Sequence, residues 1–173
     1  GSIFFASGED FADALSSAYY GQPILLTKKA ELPECVEEYL EELSNVDAVV
    51  VGGPEAVSAA VIKDLKDLDE VSDITRVWGA DRYKTAVELA TEMDVTITNY
   101  VIATGENFAD ALTGAALSDN GQGVLLVKSN SIPSVVDDYV WDNRKTSGLT
   151  LTILGGESAV SLNNAVALYK LLP

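Results

Sequence analysis

Ser7-Gly8-Glu9-Asp10-Phe11-Ala12-Asp13-Ala14-Leu15 returns as Thr104-Gly105-Glu106-Asn107-Phe108-Ala109-Asp110-Ala111-Leu112. Each copy follows a short apolar run, Ile3-Phe4-Phe5-Ala6 in one case and Tyr100-Val101-Ile102-Ala103 in the other. Each leads into an alanine-rich segment with apolar residues at helical spacing. A β-rich run, a glycine and a helix start make a strand–turn–helix unit, the seed of a parallel α/β sheet. Stated twice, it makes the fold a repeat.

Reading outward from the first copy, Ile24-Leu25-Leu26-Thr27 is expected as a buried strand, since its apolar run is continuous. Leu32-Pro33 opens a helix whose apolar stripe is Val36, Tyr39, Leu40 and Leu43. Ala48–Val51 is a third strand, and Gly52-Gly53-Pro54 turns the chain into a helix expected from Glu55 to about Leu65. Ile74–Val77 is a short strand. Asp81 is a helix N-cap, and Tyr83, Ala86, Val87 and Ala90 give the helix that follows one apolar face as far as Met93.

The second copy repeats this order. Val124–Val127 matches Ile24–Thr27, Ile132-Pro133 matches Leu32-Pro33, and Tyr139 matches Tyr39. Gly155-Gly156 matches Gly52-Gly53, with Ala-Val-Ser following at the same offset in both. The stretch Arg76–Met93 has no twin. The chain therefore divides into 1–93, a unit lacking its opening helix plus the connecting segment, and 94–173, a second unit, as part of a longer array. The fold class is α/β: tandem small α/β/α units, each with three or four parallel strands joined by right-handed crossovers. Units this small need a shared buried interface.

Composition narrows the function. Hydrophobic residues are 47 % of the 173 and mean hydropathy is +0.15, enough for a core. No apolar run reaches membrane-spanning length, so no membrane insertion is expected. A single cysteine, Cys35, excludes an internal disulfide, and the absence of histidine removes the usual zinc sites and imidazole bases. No metal and no cofactor is expected. A net charge of −16 argues against nucleic acid, which requires clustered lysine and arginine.

The series Gly-x-x-Phe-Ala-Asp-Ala-Leu, Pro-Ile-Leu-Leu-Thr, Gly-Gly-x-x-Ala-Val-Ser and Arg-x-x-Gly-x-Asp-Arg-Tyr-x-Thr-Ala runs in order and partly twice. It resembles the type 2 cell wall-binding repeat of Gram-positive surface proteins and wall hydrolases. The resemblance implies a Toprim-like α/β fold and three tandem repeats about a pseudo-threefold. It also implies non-covalent anchoring, outside the cell, to an anionic wall polysaccharide. With fewer than two complete repeats here, self-association to rebuild a three-repeat assembly is an expected partner interaction.

Parallel sheets gather ligands beyond the carboxyl ends of their strands. Three kinds of group are placed there. The turns at Gly8-Glu9, Gly52-Gly53, Gly105-Glu106 and Gly155-Gly156 each precede a helix N-terminus, and serve either as tight turns or as anion-favouring ends. Asp13 and Asp110 lie off the apolar stripe, as salt-bridge or capping groups, or as direct ligand or metal contacts that Glu9 and Glu106 would join to bind Mg²⁺ or Ca²⁺. The cations Lys28, Lys128, Arg76, Arg82 and Lys84 are the candidate contacts to an anionic glycan, with Asp81 beside them. The structural alternative is that Lys28 and Lys128 are merely solvated and that Arg76 and Arg82 pair with Asp81, Asp13 or Asp110. Trp78 and Trp141 either stack on sugars or pack. The Asp-x-Asp of Toprim enzymes is absent from the third strands. A divalent-cation-dependent hydrolase and a homo-oligomeric scaffold are therefore the alternatives to a non-catalytic binding module.

Overall fold

The computed structural model describes residues 1–93, 98–116, 122–145 and 148–172. Residue 94, at which the sequence places the start of the second unit, and Pro173, its last residue, lie outside them. In chain order the elements are β1 (Ser2–Ser7), α1 (Phe11–Ser17), a 3-10 turn (Ala18–Tyr20), β2 (Ile24–Thr27), α2 (Glu34–Glu41), β3 (Val46–Val51), α3 (Ala59–Lys66), β4 (Val71–Val77) and α4 (Arg82–Glu92). They continue with β5 (Asn99–Thr104), α5 (Ala109–Ala115), β6 (Gln122–Val127), α6 (Ser134–Asn143), β7 (Thr150–Ile153) and α7 (Leu162–Leu171).

The strands form two sheets, ordered β2-β1-β3-β4 and β6-β5-β7, and all named pairings are parallel. The repeat extends to single hydrogen bonds. Gly8 N–H donates to Thr27 O at 2.9 Å, and Gly105 N–H to Val127 O at 2.8 Å. Ser58 N–H reaches Lys29 O at 2.7 Å, and Ser161 N–H reaches Ser129 O at 2.9 Å. Equal sequence patterns thus produce equal turns at the carboxyl ends of both sheets.

Three local expectations are corrected. The helix expected from Glu55 starts at Ala59, because Ser58 adopts an extended conformation and its hydroxyl caps Ala60 N–H; a single turn closed by Val57 N–H on Gly53 O precedes it. Strand β2 is an edge strand, and Leu26 is 51 % exposed. Tyr39 is exposed as well. Its twin Tyr139 packs edge-on against Tyr100 and shares a 2.7 Å hydroxyl bond with it, whereas the matching strand position beside Tyr39 is Ile3.

Two cores form. One lies within the first unit and joins Ile3, Phe5, Ala48 and Val50 of its strands to Val36 and Leu40 of α2 and to Val61 and Leu65 of α3. The other is continuous across both units, running from Phe4, Leu15, Tyr19 and Val51 through α4 to Val101, Leu125 and Leu126. Helix α4 packs on α1 of the first unit and on β6 and α6 of the second. By packing, α4 thus covers the second sheet, although the division at residue 93 groups it with the first.

Candidate functional site

A polar cleft opens where the first sheet's carboxyl end meets α1 and α4. Asp10, Asp13, Gly53, Gly79, Asp81, Arg82 and Thr85 line a volume of about 260 Å³. The equivalent cleft of the second unit holds about 190 Å³ between Thr104, Glu106, Asn107, Asp110, Ser129 and Ser158. Each is built on a third-strand glycine with positive φ: 120° at Gly52 and 95° at Gly155, backbone that side chains with a Cβ adopt only under strain. A Cβ on Gly52 would stand 2.8 Å from Asp13 Oδ2, and one on Gly155 would crowd Asp110 Oδ2. The repeated aspartate and the repeated glycine are therefore one device, a carboxylate seated against bare backbone.

The carboxylates have distinct duties. Asp10 caps α1 through Ala12 N–H, and Asp81 caps α4 through Lys84 N–H at 2.9 Å. Burial, with Asp10 nearby, holds the Asp13 carboxyl above the usual carboxylate range; a hydrogen bond from Thr85 and the charge of Arg82 oppose that rise. Thr85 also accepts Gly79 N–H at 3.1 Å, fixing the Trp78-Gly79 turn. Sequence reasoning missed Thr85, a buried hydroxyl on the apolar side of α4. Glu106 accepts from the backbone and hydroxyl of Ser129, which lowers its pKa.

The five cations picked from the sequence have different partners in the fold. Lys28 pairs with Glu31 at 2.9 Å, and Lys84 with Glu88 at 2.5 Å. Arg82 lies between the units: Nη1 donates to Gly105 O at 2.6 Å, Nη2 stands 3.7 Å from Asp10, and the guanidinium covers the Phe11 ring at 5.4 Å. Lys128 sits over Tyr83 at 5.9 Å. Arg76 donates from Nη2 to Val57 O at 2.7 Å, and partial burial lowers its pKa. Neither Arg76 nor Lys128 has a carboxylate within 4 Å among the described residues. Gly53 lies under the Trp78 indole, while Gly156 is open among the described residues. Trp141 is half exposed and stacks on Arg144 at 3.5 Å. Among the described residues no group of three or more acidic, cysteine or histidine side chains is placed to hold a metal ion, and no helix is long and apolar enough to cross a membrane.

Beside the first cleft runs an apolar groove of about 320 Å³ between β2, α1 and α5, lined by Gly8, Phe11, Leu15, Leu26, Phe108 and Leu112. Phe11 and Phe108 meet there edge to face at 5.5 Å, the two copies of one motif residue in contact.

Duplicated parallel sheets with polar clefts at equivalent strand ends define a tandem-repeat binding module. The chain belongs to the cell wall binding domain 2 family, whose sequence model matches residues 2–62 and 76–165. It is a cell wall binding domain, and the second matched segment begins in β4 and takes in α4. The chain is 30 % identical over 171 residues to the N-acetylmuramoyl-L-alanine amidase LytC of Bacillus subtilis (strain 168), covering 96 % of this chain and 32 % of that protein. It is 28 % identical to the amidase enhancer of the same organism, over 90 % of this chain and 21 % of that protein. Among solved structures, Cwp8 from Clostridium difficile matches with a TM-score of 0.83 at 27 % identity, over 99 % of this chain and 29 % of that one. Cwp6 from the same organism shares the fold at a TM-score of 0.86, with 24 % identity over 99 % of this chain and 27 % of that one. The chain thus spans about a third or less of the length of these relatives.

Proposed function

We propose that this domain holds a surface protein to the wall of a Gram-positive bacterium, outside the cell, by binding an anionic wall polysaccharide non-covalently and without catalysis. The observation that carries this reading is the pair of polar clefts at matching strand ends in a chain of the cell wall binding domain 2 family. Its named relatives, an amidase and an amidase enhancer, are proteins for which attachment to wall material would be useful.

Of the five candidate cations, Arg76 and Lys128 are open to a polyanion without losing an internal carboxylate among the described residues. Lys28 and Lys84 would exchange theirs. An exposed pair contributes only about 0.2–1 kcal/mol, so a polymer offering several anionic groups can displace it. Arg82 is tied to Gly105 O and contributes through the shape of the cleft. Attraction of this kind is screened within about 8 Å at 0.15 M salt and about 3 Å at 1 M. The folded domain is expected to be retained on purified, de-proteinated wall at physiological salt and released as salt is raised. Failure of folded protein to be retained at physiological salt would overturn the reading.

We further propose that the chain comprises two repeat units and that its apolar groove takes another repeat unit, supplied in the isolated chain by a second copy. In the second unit the surface equivalent to this groove is covered: Gly105 faces Arg82 and Tyr83, whereas Gly8 meets only β2. Sedimentation should show association that Leu26→Glu abolishes; a monomer at every concentration would remove self-association.

A further inference from the structure

The segment that follows α3 adds a feature to the first unit. In the first unit a single turn, Gly53 to Val57, is closed by Val57 N–H on Gly53 O at 2.9 Å. Two side chains from the end of β4 lie against its two ends. The six-membered ring of Trp78 covers Gly53 so closely that a Cβ there would stand 2.8 Å from Cε3. Arg76 anchors Nη2 on Val57 O at 2.7 Å. Trp78 is 50 % exposed. Arg76, half-buried, has five N–H donors and uses one in that bond. The matching turn of the second unit, closed by Val160 N–H on Gly156 O at 3.0 Å, has nothing over Gly156 among the described residues.

We propose that Trp78 and Arg76 form one subsite for a sugar ring bearing an oxyanion. The apolar C–H face of the ring rests on the indole, which Gly53 holds in place from behind. The carboxylate or phosphate on the ring takes a two-point hydrogen bond from the guanidinium, whose plane the Val57 carbonyl has already oriented. Preorganisation of both groups by one turn removes much of the ordering cost of binding. The first cleft, walled by Gly53 and Gly79 next to Trp78, is polar and offers acceptors to the hydroxyls of the same or the next sugar. This inference rests on the wall-binding reading and assigns a charged-sugar contact to the turn from Gly53 to Val57.

The test uses the full chain. Wall glycan fragments are separated by anion exchange into charged and neutral fractions, and each is titrated against tryptophan emission. The charged fraction should quench emission. Trp78→Ala should weaken its binding at least about tenfold, the effect of losing about 1.4 kcal/mol of contact, while Trp141→Phe binds as the parent does. Arg76→Gln should weaken the charged fraction at least about tenfold, leave the neutral fraction unchanged and flatten the salt dependence; Arg76→Lys should restore that dependence. Treating the charged fraction with hydrofluoric acid distinguishes the oxyanions: binding is lost if it is a phosphate ester and kept if it is a carboxylate. Circular dichroism confirms folding of each variant. If folded Trp78→Ala and Arg76→Gln remain on intact wall as well as the parent, the subsite is wrong and wall binding stands on another surface. An Arg76→Gln variant that lowers the melting temperature but binds as the parent reduces Arg76 to a prop for the turn and also overturns the subsite. If the parent itself is not retained, the wall-binding reading fails first.

Discussion

Leu26 and Leu126 occupy the same place in two copies of one strand, yet Leu26 is 51 % exposed and Leu126 is fully buried. The same holds one helix away, where Leu15 is 5 % exposed and its twin Leu112 is 54 % exposed. In each pair the buried member lies where α4 bridges the units, covering β6 on one side and α1 on the other. Burial in this protein therefore belongs to the neighbour and not to the repeat. A single unit cannot cover its own β2-type strand or its own α1-type helix, and α4 does both at one junction. Hydrophobic stabilisation follows the apolar area removed from water, so twins of equal chemistry carry unequal weight.

The largest expected effect tests that inequality directly. Leu126→Ala should destabilise the chain by about 2–5 kcal/mol, the usual cost of a core truncation. Leu26→Ala should cost under about 1 kcal/mol, as for other largely exposed positions. Urea unfolding of the two variants at a concentration where the chain is monomeric measures the difference, and equal losses there would mean that burial does not follow the neighbour.

The paired glycines sharpen the same contrast. A Cβ on Gly105 would stand 2.8 Å from Tyr83 Cε1 and 3.2 Å from Arg82 Cδ, while one on Gly8 would meet Leu26 Cβ at a comfortable 3.5 Å. Gly105→Ala should destabilise by roughly 1–3 kcal/mol through overpacking. Gly8→Ala should be neutral or stabilise by a few tenths, since it restricts the unfolded chain. Matching melting temperatures for the two would remove α4 from its place on the second unit.

A smaller effect separates the ends of the two equivalent strands. Thr27 Oγ1 is buried without a hydrogen-bond partner among the described residues, and the second unit has Val127 at that position. Thr27→Val should stabilise by about 1 kcal/mol, because a buried hydroxyl left unpaired carries its desolvation cost uncompensated. Val127→Thr should lose a similar amount, and calorimetry distinguishes the signs.

Asp13 gives the smallest effect, read as a dependence on pH. Burial raises its pKa in the folded chain, so between the ordinary carboxylate value and the raised one the native state binds more protons than the unfolded state. Its contribution is therefore most favourable in acid and declines as pH rises through that window. Asp13→Asn, which keeps an oxygen for Thr85, should abolish this decline. A stability profile unchanged by the substitution would show that Asp13 is solvated.

Much of this is legible in the residues. Strand–turn–helix order, the two sheets and the Asp81 cap follow from period and turn chemistry, which act over a few residues. The helix expected from Glu55 starts later because the apolar period runs on through Ser58, a serine able to cap its own backbone. Tyr39 departs from expectation because an apolar stripe says which side faces inward but not whether the matching strand residue can partner a tyrosine hydroxyl. Among the site residues, the glycine turns and the aspartates Asp13 and Asp110 lie near the strand ends, as their place after each strand implies. Their contact with each other, the role of Thr85 and the pairing of Lys28, Lys84 and Arg82 with internal acids are not visible in the sequence. Such contacts join residues tens of positions apart, or depend on which of several nearby carboxylates a flexible cation reaches.

The sequence by itself determined the repeat, the parallel sheets, the acidic surface and the kinship to wall-binding domains, because each of these is written in local pattern and composition. Only the tertiary structure decided which copy of a leucine is buried, where α4 lies, which cations keep a free face and that Trp78 and Arg76 share one turn. Those outcomes depend on how two units pack, and packing is fixed by the shape of both surfaces together.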